Sequence, residues 1–249
     1  MNFYAVIIGT EILDGRRTDK HFTFLQSELK KRGWTLSGSL VIEDRVELIE
    51  KTLKMLSSME DSVVFTFGGI GSTPDDFTRQ VAGDVFSSGK MEFHSEFIDI
   101  IKSKFGSERF DVRKNMAYLP LDSKLLYNNP INRMCGFYLK DRFFFVPGFP
   151  EMAHSMVKEA LDKFFNRNSE KVYRESLTAL VPEGYLISWM ESLPDEVKLS
   201  SLPKTNIDRD GNMNPTVDIQ IESKDRAVLS SSYDSLKRFL NKNSFSFKK

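Results

Sequence analysis

The stretch VVFTFGGIGSTPDDFTR, Val63–Arg79, decides how this chain is read. It opens on a β-branched and aromatic run of the kind found in strands buried on both faces. The run ends in Gly68, Gly69 and Gly71, followed by Ser72, Thr73, Pro74 and the paired Asp75 and Asp76. A helical pattern then runs from Pro74 to about Phe86. Such a junction presents unpaired N–H groups and the positive end of a helix dipole, and glycines let a ligand approach the backbone. Two readings stay open. In one, the glycines make a tight turn and the aspartates sit in a first helical turn, where the dipole favours them. In the other, the glycines hold phosphate, Thr73 donates its hydroxyl, and the carboxylates bind a divalent ion such as Mg²⁺, which shares oxygen ligands with phosphates. The segment matches neither the P-loop nor the GxGxxG pattern.

Upstream, Phe3–Ile8 is another continuous apolar run, bounded by Gly9. GTEILDG, Gly9–Gly15, leaves it as the glycine loop leaves Phe67. If the two strands are neighbours, Thr10 and Glu11 face the Gly68–Gly71 loop. A helix is expected from about Lys20 to Arg32, stopped by Gly33. A strand follows at Ser37–Ile42. Asp44 is the expected N-cap of the next helix, striped by Val46, Ile49, Leu53 and Leu56. Strands alternating with helices at this spacing predict a doubly wound α/β domain, and open sheets of that kind bind ligands at the carboxyl ends of their strands.

Downstream, a helix is expected over His94–Phe105 and irregular chain over Asp111–Leu126. Phe137–Leu139 and Arg142–Val146 read as a hairpin turning at Lys140-Asp141, so the sheet is expected to be mixed. PGFPEM (147–152) opens a further helix to about Phe165. A composition shift at Asn166–Glu170 sets the expected boundary between domains 1–168 and 169–249. The second domain is expected to be small and α/β, with strands at Val172–Val181, Val197–Leu202 and Thr216–Glu222 and helices at Gly184–Ser192 and Ala227–Leu240. A flexible loop is expected at Lys204–Pro215, and a frayed end from Asn241.

Composition narrows the classes. Lys+Arg and Asp+Glu each number 35, so the net charge is zero. Nothing global points to nucleic acid or an anionic membrane, and an anionic ligand must be held by local geometry. Cys135 is the only cysteine, which excludes an intrachain disulfide and suits a reduced cytoplasm. His21, His94 and His154 show no metal-ligand spacing. No basic leader is seen, and no run is long enough to cross a membrane.

Several motifs occur in order: GTEILDGRRTDKHFTFLQSELKKRGW (9–34), GGIGSTPDDFTR (68–79), Asn115, LP at 119–120, NNP at 128–130, and PGFP (147–150) before a helix. Together they resemble the molybdopterin-binding domain of MoaB/Mog type, in the version found at the N-terminus of the competence/damage-inducible protein CinA. The resemblance covers residues 3–165. The tail from 171, including SSLPK (200–204), is similar to the small domain that follows in CinA-like proteins, though less closely. The C-terminal nicotinamide-nucleotide amidase domain has no counterpart in these residues, so that activity is not carried over.

The resemblance implies a three-layer α/β/α fold binding a phosphorylated pterin or nucleotide at the loop ends. It also implies two functions: metal-dependent hydrolysis of ADP-ribose or FAD-like pyrophosphates, or binding without turnover in cofactor maturation. The ligand-contacting positions of the family fall on Gly9, Thr10, Glu11, Asp19, Gly68, Gly69, Gly71, Thr73, Asp75, Asp76 and Asn115, to which Lys20 and Ser72 are added as neighbours. Glu11, Asp75 and Asp76 are the expected catalytic carboxylates, with Asp75 and Asp76 the metal ligands. A homo-oligomer is expected, since these folds commonly self-associate. Three positions depart from the family pattern. Ser72 stands where proline is common, Asp19-Lys20-His21 replaces D-T-N, and Met134-Cys135-Gly136 replaces A-P-G. Arg133, beside the last of these, is a further candidate phosphate ligand.

Overall fold

The computed structural model describes residues 1–168, 171–207 and 213–248. The chain divides into two compact units, Met1–Asn168 and Ser169–Lys249.

In the first unit the elements run β1 (Asn2–Ile8), α1 (Thr10–Leu13), α2 (His21–Lys31), β2 (Leu36–Ile42), α3 (Val46–Ser57), β3 (Ser62–Phe67) and α4 (Thr78–Phe86). They continue with β4 (Met91–Phe93), α5 (Ser95–Arg113), a 3-10 turn (Lys114–Ala117), β5 (Tyr118–Pro120), β6 (Lys124–Leu126), β7 (Gly136–Leu139), β8 (Phe143–Val146) and α6 (Pro150–Phe164). The main sheet has the order β2-β1-β3-β8-β7-β6. Its first four strands are parallel, and β7 runs antiparallel to both neighbours. The sheet is therefore mixed, and β1 and β3 are adjacent, with Ile7 opposite Phe67.

The apolar runs follow from helices on both faces. Successive strand residues point to opposite sides, so β1 sends Phe3, Ala5 and Ile7 one way and Val6 and Ile8 the other. The first set packs with Leu25 and Leu29 of α2 and with Ala153, Val157 and Leu161 of α6. The second packs with Ile49 and Leu53 of α3, Val81 of α4, and Phe97 and Ile101 of α5. Phe65 stacks on Phe144, with ring centres 4.8 Å apart, and Phe137 on Phe145 at 4.6 Å. Each buried phenylalanine contributes about 1.5–3 kcal/mol of transfer free energy. The β7–β8 hairpin turns at Lys140 and Asp141, both at positive φ, and the Arg142 amide closes the turn on the Leu139 carbonyl at 3.2 Å.

The second unit has the elements β9 (Tyr173–Ala179), a 3-10 turn (Glu183–Leu186), α7 (Ile187–Met190), β10 (Lys198–Ile207), β11 (Met213–Ser223), α8 (Arg226–Lys242) and β12 (Phe247–Lys248). Its sheet, ordered β10-β11-β9-β12, is antiparallel throughout. Leu177, Ala179, Val217, Ile219 and Ile221 pack against Leu229, Leu236 and Leu240 of α8 and against Trp189. Asp225 caps α8, accepting from the Ala227 and Val228 amides at 2.7 and 3.2 Å.

Five expectations are corrected. Helix α4 begins at Thr78 rather than Pro74, so Asp75 and Asp76 belong to the loop before it. Asp44 does not cap α3. It accepts instead from the Thr10 amide (2.8 Å) and hydroxyl (3.1 Å), clasping the end of β1. The span Asp111–Leu126 is ordered as the end of α5, the 3-10 turn, β5 and β6. The expected loop Lys204–Pro215 is strand over Lys204–Ile207 and from Met213 onward, paired in register Lys204–Thr216 to Ile207–Met213. Its middle, 208–212, lies outside the described residues. The tail is not frayed, since β12 pairs with β9 and Phe245 and Phe247 pack on the core.

Candidate functional site

The loops leaving β1, β3 and β8 meet at the carboxyl edge of the sheet. Gly68 and Gly69 have φ of +102° and +68°, values L side chains rarely adopt. A Cβ on Gly68 would lie under 3.0 Å from the Ile8 carbonyl oxygen, and one on Gly69 under 3.0 Å from the Thr78 hydroxyl. Gly148 of the third loop sits against the Gly68 Cα, with its own Cβ position 3.4 Å away. Three chain segments are therefore packed backbone to backbone.

Within the β3 loop, Asp76 is half-buried and turned back. Its Oδ1 accepts from the Gly71 amide at 2.8 Å, and its Oδ2 accepts from the Thr73 amide at 2.8 Å and the Thr73 hydroxyl at 2.6 Å. Arg79 is 9% exposed and donates to the Gly71 carbonyl. No ion pair within 4.0 Å forms at Arg79 among the described residues, and burial lowers its pKa. The Thr78 hydroxyl is fully buried with no hydrogen-bond partner.

The other residues singled out from the sequence have the following places. Glu11 folds over Gly9, whose Cβ position would be 3.0 Å from the Glu11 Oε2, and its Oε1 is 3.5 Å from Arg17. Thr10 is held by Asp44. Asp19 caps the start of α2 through the His21 and Phe22 amides, at 2.8 and 3.0 Å. Lys20 is exposed beside it, Ser72 is half-buried within the loop, and Asp75 is exposed. Asn115 is exposed on the 3-10 turn. Among the described residues no hydrogen bond ties its side chain to these loops.

No three His, Cys, Asp or Glu side chains among the described residues are placed to hold a metal ion together. Glu11 turns to Gly9 and Arg17, Asp76 faces the donors of its own loop, and Asp75 faces solvent. These residues do not fit a divalent ion held by the protein alone.

Two clefts lie in this unit, and the smaller reaches the glycine loop through Gly148. One, of about 360 Å³, is lined by Arg17, Thr18, Lys20, His21, Gly148 and Glu151 among others. The Arg17 guanidinium lies 4.9 Å from the ring centre of Phe149, which is half exposed. The other, of about 710 Å³, lies between α5 and the loop leaving β6, and its lining includes Glu96, Lys104, Tyr127, Asn129 and Arg133. Tyr127 donates to Glu96 at 2.9 Å. Burial, with Glu96 beside it, pushes the Tyr127 hydroxyl up to about 12. Cys135 is buried, which pushes its thiol to about 12 and leaves it inert.

His21 packs flat on Phe67, ring centres 4.3 Å apart, with its Nε2 3.3 Å from the Gly148 carbonyl. His154 stacks on Phe24 at 3.6 Å and meets His21 edge-on at 5.4 Å. Burial lowers the pKa of both, that of His154 to about 4. Sequence reading missed Asp44, Arg79 and the His21–His154 pairing. Arg79 sits at the end of the motif and could have been singled out as a charge just inside a helix. The other two are contacts between segments distant in the chain and leave no local pattern. No helix among the described residues is long and apolar enough to cross a membrane.

Comparison with known proteins bears on the family and the fold. Residues 4–167 match the family described as "Probable molybdopterin binding domain". The chain is 28% identical over 181 residues to a CinA-like protein of Sulfurihydrogenibium sp. (strain YO3AOP1), covering 70% of this chain and 44% of that one. It is 25% identical over 246 residues to a CinA-like protein of Syntrophomonas wolfei subsp. wolfei, covering 94% and 58%. The chain thus spans about half the length of the curated relatives it matches. Among solved structures, CinA from Thermoplasma acidophilum, titled as of unknown function, shares the fold. Its TM-score is 0.57 at 23% identity, over 66% of this chain and 98% of that one. The family match spans the whole α/β/α unit and every loop at its carboxyl edge, and the chain belongs to the molybdopterin-binding-domain family.

Proposed function

We propose that the carboxyl edge of the main sheet binds a phosphorylated pterin or nucleotide. The phosphates lie at the Gly68–Thr73 loop and the ring-bearing part in the cleft lined by Arg17, Lys20 and Gly148. The observation that carries this reading is the loop itself. Two successive positions accept no Cβ, and the loop lies against Gly148, which lines the smaller cleft, at the edge where open α/β sheets take ligands. The basic rim of Arg17 and Lys20 supports an anionic ligand, and the exposed Phe149 ring supports a flat one.

A second reading is that the same pocket cleaves a pyrophosphate such as ADP-ribose or FAD. Exposed Asp75 favours it, because Mg²⁺ usually arrives on substrate phosphates and takes only one or two protein carboxylates. One experiment separates the two. Purified protein is titrated calorimetrically with ADP-ribose, FAD and a pterin phosphate, with and without Mg²⁺ or Mn²⁺, and AMP release is followed in parallel. Binding without AMP release supports the binding module, and AMP release that Asp75→Ala abolishes supports the hydrolase. If no phosphorylated ligand binds and Gly69→Ala leaves every titration unchanged, the site is not at this loop.

A further inference from the structure

Asp76 stands where a shared metal ligand is expected, yet its carboxylate has a different use. Three donors converge on it: the Gly71 amide, the Thr73 amide and the Thr73 hydroxyl, all within 2.8 Å. Two amides and a hydroxyl closing on one pair of oxygens make the donor set that receives a phosphate oxygen in anion-binding loops. A carboxylate of the chain therefore fills a seat made for an anion.

Two side chains nearby bear on a ligand at this loop, and one of them, Thr78, is an unpartnered buried group. Buried Arg79 holds the Gly71 carbonyl, and the charge it feels is that of Asp76, without an ion pair closing between them. The Thr78 hydroxyl, fully buried against Gly69, has no partner among the described residues. A phosphate in place of Asp76 keeps a negative charge near Arg79 and brings an acceptor toward the Thr78 hydroxyl.

We infer that Asp76 is an internal occupant of the loop's anion seat, a competitor that an incoming phosphate displaces, and not a metal ligand. The inference rests on the phosphate-binding reading of this loop. When phosphate enters, the amides of Gly71 and Thr73 exchange one acceptor for another, the Thr73 hydroxyl follows, and the Asp76 side chain swings out to solvent. The loop is then held in shape in both states, and affinity is set by the difference between two anions rather than by the cost of ordering a loop.

The test uses the full chain with inorganic pyrophosphate as probe and EDTA present. Asp76→Asn keeps the side-chain shape and removes the charge. Its pyrophosphate affinity is expected to rise about tenfold over wild type, the scale of one charge-assisted hydrogen bond that no longer has to be broken. In wild type, the ¹³C carboxylate resonance of Asp76 is expected to shift on saturation, while the Gly71 and Thr73 amides stay protected from exchange. This second measurement does not depend on the variant folding. Weaker binding by Asp76→Asn, or an unmoved Asp76 resonance in saturated wild type, overturns the inference and leaves the phosphate site standing. Absence of pyrophosphate binding by both proteins overturns the phosphate site as well.

Discussion

Gly68→Ala is expected to destabilise the first unit more than Gly71→Ala does. Gly68 is at φ +102°, where an alanine costs about 1–3 kcal/mol in backbone strain. Its Cβ would also press under 3.0 Å on the Ile8 carbonyl oxygen. That oxygen belongs to β1, which is hydrogen-bonded on both sides between β2 and β3 and has no room to withdraw. Overpacking against a fixed obstacle adds about 1–3 kcal/mol, so the expected loss is about 2–6 kcal/mol. At Gly71 φ is not positive, and the added Cβ meets only the Asp76 carboxylate, 2.6 Å away. A side chain can rotate without moving backbone, but rotation of Asp76 gives up donors of its own loop, so the expected loss is about 1–2 kcal/mol, smaller than at Gly68. Urea unfolding at 25 °C, followed by Trp34 fluorescence in a Trp189→Phe background, reads the first unit alone. Trp34 is well placed as a reporter because its indole N–H donates to the Phe165 carbonyl at 3.0 Å. Equal losses for the two variants, or a larger loss for Gly71→Ala, would falsify the reasoning that backbone contact fixes this loop.

Two further outcomes are expected. The folded-state pKa of His154 is about 4 and that of His21 is also lowered, both below the ordinary 6.5, so the unfolded chain binds more protons as pH falls from about 6.5 to 4. Stability is complete above pH 6.5 and declines through that window by about 1–2 kcal/mol, discounted for partial exposure of His154; His154→Phe keeps the stack on Phe24, and melting curves against pH should flatten. Glu28 is 5% exposed; burial pushes its pKa up, but Lys31 at 2.6 Å and Arg32 at 2.7 Å outweigh that and hold it below the usual range. Arg32→Met should cost about 2–4 kcal/mol by leaving a buried carboxylate half-paired, and a double-mutant cycle with Glu28→Gln should recover much of it; additive losses would show that the pair is not coupled.

Much of the fold was legible because buried parallel strands and amphipathic helices write their periods into the chain. Phe3–Ile8, Ser62–Phe67 and the Lys140-Asp141 hairpin were readable in that way. Two of the errors share one physical origin. Pro74, Asp75 and Asp76 carry every local sign of a helix start, but Asp76 is claimed by Gly71 and Thr73 behind it, and the helix waits for Thr78. Asp44 carries the sign of a cap but is claimed by Thr10, from the end of another strand. A short polar side chain answers to whichever donors the fold brings near, and those donors need not be its neighbours in sequence. The glycines of the site were legible because their constraint is local. The His21–His154 contact and the buried Arg79 were not, because burial is decided by what other segments cover.

The meeting of Ile8, Gly68 and Gly148 has a consequence for how this pocket can change over generations. Its floor is main chain pressed on main chain, and substitution does not alter a main-chain carbonyl or amide. On the proposed phosphate-binding reading, a lineage can therefore exchange Arg17, Lys20, His21 or Phe149, and with them the preferred ring or the charge of the ligand, while the floor is inherited intact. New ligand preferences in such a lineage would arise at the rim, and the three contacts beneath would be the last to be lost.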